Sequence, residues 1–141
     1  MKCNIRKDVT SNALYESDLE CIYEGLDLLE ADIKGFIERG DFSKISLENA
    51  NLNLSEIKVC REQLDQDEQS LTKNQLKEIY IGLNFLKGDL DAPAEKRSEK
   101  NRSLNNQQLM KKMSDVRAAH QKITAVFTRM GVDIMATLRG F

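Results

Sequence analysis

Tryptophan is missing from this chain of 141 residues, proline occurs once and glycine seven times. A sandwich or barrel needs many turns and a supply of aromatic residues, and with aromatics at 6% those all-β classes are excluded. Histidine also occurs once, as His120, and the three cysteines, Cys3, Cys21 and Cys60, stand far apart. That leaves no zinc-ligand spacing, and an odd number of scattered thiols suits a reducing cytoplasm better than a disulfide framework. Neither sign of charge dominates, since 21 basic residues meet 23 acidic ones for a net charge of -2. No global field therefore recruits nucleic acid or an anionic membrane. No apolar run approaches the roughly 20 residues of a membrane span, and MKCNIRKDVTSN lacks the apolar stretch of a secretory signal.

What the chain does have is apolar side chains at helical intervals. Tyr15, Leu19, Ile22, Leu26, Leu29, Ile33 and Phe36 alternate steps of three and four, which keeps one stripe on one side of a helix. Ser11 or Asn12 is the expected cap and Gly40 the expected stop. Gly25 and Gly35, inside this helix, each cost about 1 kcal/mol relative to alanine, so each marks close helix contact or a tolerated weakness. A second stripe, Leu47, Ala50, Leu54, Ile57 and Leu64, opens at Ser46 and is interrupted by Arg61, read as a boundary residue whose methylenes cover the core edge. Thr72 and Gln75 form a capping box ahead of Leu76, Ile79, Leu83, Leu86 and Leu90, and Asp91-Ala92-Pro93 ends that run. The segment from Ala94 to Gln108 is polar, with Lys96, Arg97, Lys100 and Arg102 against Glu95 and Glu99, and reads as an exposed loop or an overhanging helix end. The last stripe is Leu109, Met113, Val116, His120, Ile123, Phe127, Met130 and Ile134. These patterns predict one all-α domain with helices over about 12–39, 46–65, 72–91 and 100–131, folded as an elongated antiparallel up-and-down bundle of three to four helices.

Chemistry is harder to nominate. A di-iron bundle needs inward carboxylates and Glu-x-x-His pairs, but Arg117 stands three residues before His120 and the four stripes read as apolar. No nucleophile elbow or glycine-rich phosphate loop accompanies His120, so the chain reads as a non-enzyme with no metal and no cofactor. His120 itself reads as a seam-edge ring packed against Val116 and Ile123. Apart from Met1, every methionine falls in the last 32 residues: Met110, Met113, Met130 and Met135. Flexible, polarizable side chains of this kind suit surfaces that accept varied partners, and they are equally ordinary core filler.

Two stretches carry a family resemblance. LECIYEGLDLLEADIKGFIERGDFSKISLENANLNLSEIKVCREQL is similar to the opening hairpin of the small acidic flagellar export chaperones of the FlgN type, to which the FliT type is related. KNRSLNNQQLMKKMSDVRAAHQKITAVF is similar to the long final helix of the same family. The resemblance implies a cytoplasmic chaperone that binds the disordered amphipathic terminus of a hook-associated subunit and keeps it export-competent, with the export machinery as a further partner. Met110, Met113, Phe127, Met130 and Met135 are then the expected adaptable client-binding surface, and Lys111, Lys112 and Arg117 its polar rim. Two alternatives share these features. One is a small helical adaptor or anti-activator bound to a folded protein; the other is a homodimer whose last seam is covered by a second copy.

Overall fold

The computed structural model describes residues 2–4, 14–43, 45–65 and 70–131. Helix α1 spans Glu16–Arg39, α2 Leu47–Leu64, α3 Lys73–Asp91, α4 the single turn Glu99–Arg102 and α5 Asn106–Arg129. Two short strands, β1 (Lys2–Asn4) and β2 (Ser70–Thr72), pair antiparallel with Cys3 opposite Leu71, a pairing the helical periodicity did not announce. The fold is all-α apart from this clasp.

Each helix boundary has a local cause. Ser11 and Asn12, the expected caps of α1, lie outside the described residues; the helix is described from Glu16, where the Asp18 carboxylate accepts the Tyr15 N–H at 2.8 Å. Gly40 ends α1 at φ 62°, the left-handed conformation glycine adopts without a Cβ penalty, and the N–H groups of Gly40 and Asp41 close on Ile37 and Phe36. Ser46 Oγ accepts from Asn49 N–H at 3.1 Å, and Thr72 and Gln75 exchange reciprocal bonds of 3.2 and 3.0 Å. The expected helix over 100–131 is broken near its start. Asn105 and Gln108 make a second reciprocal cap of 2.8 and 3.0 Å, so α5 begins at Asn106 and the preceding connector forms a 3-10 turn at Ala94–Lys96 and then α4.

Packing is organised around α1 and α3. Residues rising along α5 meet residues falling along α1, with Lys112 against Glu24 and Lys122 against Asp18, so those two helices are antiparallel. Arg61 of α2 lies against Asp27 and Glu30 of α1, and Tyr23 donates to Asp65, which gives α2 the same reversed direction. The result is the up-and-down order, with α1 and α3 running the same way. They touch backbone to backbone at Gly25 and Gly82: a Cβ on Gly25 would lie 2.6 Å from the Gly82 carbonyl carbon, and one on Gly82 would lie 2.8 Å from the Gly25 carbonyl carbon. Only glycine permits that approach.

Around the crossing, Ile22, Leu26, Leu29 and Ile33 of α1 interlock with Leu76, Ile79, Leu83, Leu86 and Leu90 of α3 and with Val116, Ile123, Val126 and Phe127 of α5. Each such burial stabilises the bundle by about 1.5–3 kcal/mol before chain entropy is counted. Helix α2 contributes less, burying Ala50, Ile57, Cys60 and Leu64 while Leu47, expected on its seam, and Leu52 stay exposed. Tyr15, expected to open the α1 seam, is also exposed; the Lys122 ammonium sits 3.9 Å above its ring. No helix among the described residues is long and apolar enough to cross a membrane.

Candidate functional site

The C-terminal halves of α1 and α3 leave an open groove of about 730 Å³ between them. Its length runs from Leu28 to Arg39 on α1 and from Ile81 to Ala92 on α3, about 16 Å, or three helical turns. Leu28, Ile81 and Phe85 give it apolar surface, and Phe85 is 38% exposed, high for a phenylalanine in a packed bundle. Its width comes from small residues: Ala31 and Gly35 on α1 face Gly88 and Ala92 on α3. A Cβ built on Gly88 meets nothing within 4 Å, the opposite of the situation at Gly82 one and a half turns earlier. Asp32, Arg39, Asn84 and Lys96 add polar groups to the lining. Such a trough can bury one apolar face of an amphipathic helix while the charged rim meets that helix's polar edges.

The residues expected to form a client surface do not come together. Met110, on α5, is 72% exposed. Met113 turns toward α3 beside Leu90 and His120, and Met130 packs on the core at the far end of α5, about 30 Å from Met110 along the axis. Phe127 is 1% exposed, a core residue and not part of a surface, because the α5 stripe that carries it faces α1 and α3. Met135 lies outside the described residues. Lys111 makes an exposed pair with Asp115, and Arg117 is exposed beside a small hollow of about 50 Å³. None of the described side chains among them lines the groove.

Lys112 has a role the sequence concealed. Its ammonium reaches the Glu24 carboxylate at 2.8 Å and also donates to Asn101 Oδ1. Asn101, 0% exposed on the single turn α4, donates from Nδ2 to Glu24 at 2.9 Å and to Asp89 at 2.7 Å, while Ser98 caps Asp89 with its N–H and its hydroxyl. Burial alone would raise the Glu24 pKa, but hydrogen bonds from Lys112 and Asn101 outweigh it and hold the carboxyl below its ordinary range. Asp89 is held low in the same way, burial being outweighed by Asn101 and Ser98. The segment expected to be an exposed loop or an overhanging helix end is exposed along most of its length but is pinned to the bundle at Asn101, and the helix seams are not wholly apolar, since Asp18, Glu24 and Glu78 are buried as well. Asp18 pairs with Lys122 across the α1–α5 interface. These groups satisfy one another and leave little reactive chemistry, with the exception of Glu78.

Arg61 bridges Asp27 and Glu30 from a half-buried position, in keeping with its expected boundary placement. His120 stacks at a tilt on Tyr80, with ring centroids 4.8 Å apart, and burial, helped by Lys87, pushes its pKa below the usual value, which favours the neutral ring. The hollow beside it is lined by Lys87, Leu90, Met113, Val116 and Arg117, not by cysteine. Cys21 and Cys60 are buried free thiols, with burial raising their pKa values to about 11 and about 12, so both are poor nucleophiles at neutral pH. Among the described residues no group of three or more His, Cys, Asp or Glu is placed to hold a metal ion. Comparison with family models, with curated proteins and with solved structures finds no match to this chain.

Proposed function

We propose that this protein is a cytoplasmic binding module of the export-chaperone kind, which takes up a short amphipathic helical segment from a protein client and keeps that segment from assembling. The observation that carries the reading is the groove between α1 and α3: three turns long, with apolar surface from Leu28, Ile81 and Phe85, open to solvent, and widened by residues with little or no side chain. A segment that is disordered when free gains burial by folding into such a trough, and the entropy of ordering it keeps the complex reversible. The similarity of the opening hairpin and final helix to flagellar chaperones of the FlgN type suggests the client class, the terminus of a hook-associated subunit. The client surface is moved from the methionines of α5 to the α1–α3 groove. No bond is made or broken in this role.

The test uses fluorescently labelled peptides copied from the termini of hook-associated subunits, titrated with the full chain and followed by anisotropy and circular dichroism. The expected result is saturable binding with a gain of helicity in the peptide. Binding to a folded regulatory domain with none to the peptides would replace this role with that of an adaptor. Sedimentation in the same buffers reports whether a second copy of the chain competes for the groove.

A further inference from the structure

Among the described residues one carboxyl group is buried with no partner. Glu78, on the face of α3 that meets α2, is 0% exposed, and neither Oε1 nor Oε2 accepts a hydrogen bond. The other buried polar side chains of the described residues, Asp18, Glu24, Gln75 and Asn101, all have partners. A lone unsatisfied carboxyl in an otherwise satisfied interior asks for an explanation, and a missing donor is the simplest one. Glu78 lines a cleft of about 190 Å³, together with Asn49, Asn53 and Glu56 of α2 and Asn74 and Lys77 of α3. The cleft therefore offers two carboxyl groups and three carboxamides. Exposed Leu52 adds an apolar patch at the same place.

That lining, two carboxyl groups among three carboxamides with Lys77 at its side, selects among ligands. Among the described residues no group of three or more His, Cys, Asp or Glu is placed to hold a metal ion, and this cleft supplies two acidic side chains. An anion would meet two acidic side chains, Glu78 and Glu56, against Lys77. A guanidinium is planar, always charged and carries its N–H donors in a fork that matches a carboxylate with both oxygens free, with remaining donors for neighbouring amide carbonyls. Its methylene stem suits a leucine beside the cleft. We propose that the α2–α3 cleft receives an arginine side chain from a protein partner, with its guanidinium paired to Glu56 and to Glu78, whose covered carboxyl turns into the cleft to meet it. This site is separate from the α1–α3 groove, and its occupancy does not depend on what the groove binds.

The pairing should draw a proton from Glu78. Burial raises its pKa to about 7, with Glu56 adding to the rise and Lys77 opposing it. Cys60, the other titratable group coupled to it from α2, stays a neutral thiol over the same range. The ionised form that a guanidinium needs is therefore scarce at pH 6 and predominant at pH 8.

The experiment titrates the full chain with N-acetyl-arginine methylamide, following the Glu78 side-chain carboxyl carbon by NMR at pH 6 and pH 8. The proposal expects the probe to lower the Glu78 pKa and to bind about tenfold more tightly at pH 8 than at pH 6. Glu78→Gln, which keeps the shape and removes the charge, should weaken binding at pH 8 by about tenfold or more. If that variant folds poorly, Glu56→Gln should weaken it severalfold with Glu78 intact. Equal binding by either folded variant and the natural chain would overturn the proposal, as would a Glu78 pKa that the probe leaves in place. A response to magnesium or calcium without a response to the arginine probe would also overturn it.

Discussion

Helices α1 and α3 each carry two interior glycines, used with opposite results. At Gly25 and Gly82 the backbones are in direct contact and there is no room for a methyl group. Ten residues further along α1 and six further along α3, Gly35 and Gly88 face an open trough, and the space beside Gly88 is empty. The same residue type, in the same pair of helices, serves to close a gap in one place and to leave one open in the other. Glycine in a helix interior costs about 1 kcal/mol relative to alanine, so the first pair offsets that cost by packing, whereas the second has no such return within the chain itself. That contrast is the main reason for assigning a binding role to the second pair.

The largest expected effect breaks the closed pair. Gly25→Ala should destabilise the bundle by about 3 kcal/mol, measured by urea unfolding, because its methyl must displace the Gly82 backbone and not a flexible side chain. A loss well under 1 kcal/mol would mean that the helices can separate cheaply and that the crossing is not tight. Next comes the unpaired acid. The Glu78 pKa is raised in the folded state, so the penalty is absent below the unfolded value near 4.5 and grows as the pH rises through about 7. Glu78→Leu should therefore stabilise the isolated chain by roughly 2–3 kcal/mol at pH 8 and by much less at pH 4.5. Equal effects at both pH values would show that Glu78 is not a buried acid.

The polar clamp is the next step down. Lys112→Met removes the closest cation from Glu24 but leaves Lys100 and Asn101, so a loss of about 1–2 kcal/mol is expected in thermal unfolding at pH 7. Because the Glu24 pKa is depressed, its stabilising contribution is present above the ordinary carboxylate range and fades as the pH falls through the folded value. The difference between variant and natural chain should shrink accordingly in acid; a constant difference would assign Lys112 a packing role alone. The smallest effect belongs to the open pair: Gly88→Ala should raise stability by about 0.5–1 kcal/mol, the helix-propensity gain with nothing to clash. Destabilisation would show that the trough is narrower than its lining residues indicate.

Much of the fold was legible because its cause is local. Leu76, Ile79, Leu83, Leu86 and Leu90 are all buried, as their spacing demands, and the Thr72–Gln75 and Ser46 caps depend on residues three apart. What could not be read depends on long separations. Glu24 and Lys112 are 88 positions apart and look like ordinary surface charges until α5 is laid against α1. Asn101 stands in a polar stretch, and only the convergence of Glu24, Asp89 and Lys112 on it explains its burial. Phe127 shared a helix with the methionines, but helical rotation places it on the inner stripe and Met110 on the outer face. The groove had one faint signal, the helix-interior glycines: Gly35 was visible as a weakness in α1, yet its counterpart Gly88 gains meaning only when α1 and α3 lie parallel.

The central claim, that the trough beside Gly88 is a seat for a client helix, is tested most directly with Gly88→Leu. The variant fills the groove from a position where an added Cβ meets nothing within 4 Å and glycine's helix penalty is removed, so its folding should match or exceed that of the natural chain. The account predicts at least a tenfold loss of affinity for an amphipathic client peptide, about 1.4 kcal/mol, with the melting temperature unchanged or raised. Peptide binding by Gly88→Leu as tight as that of the natural chain would contradict it.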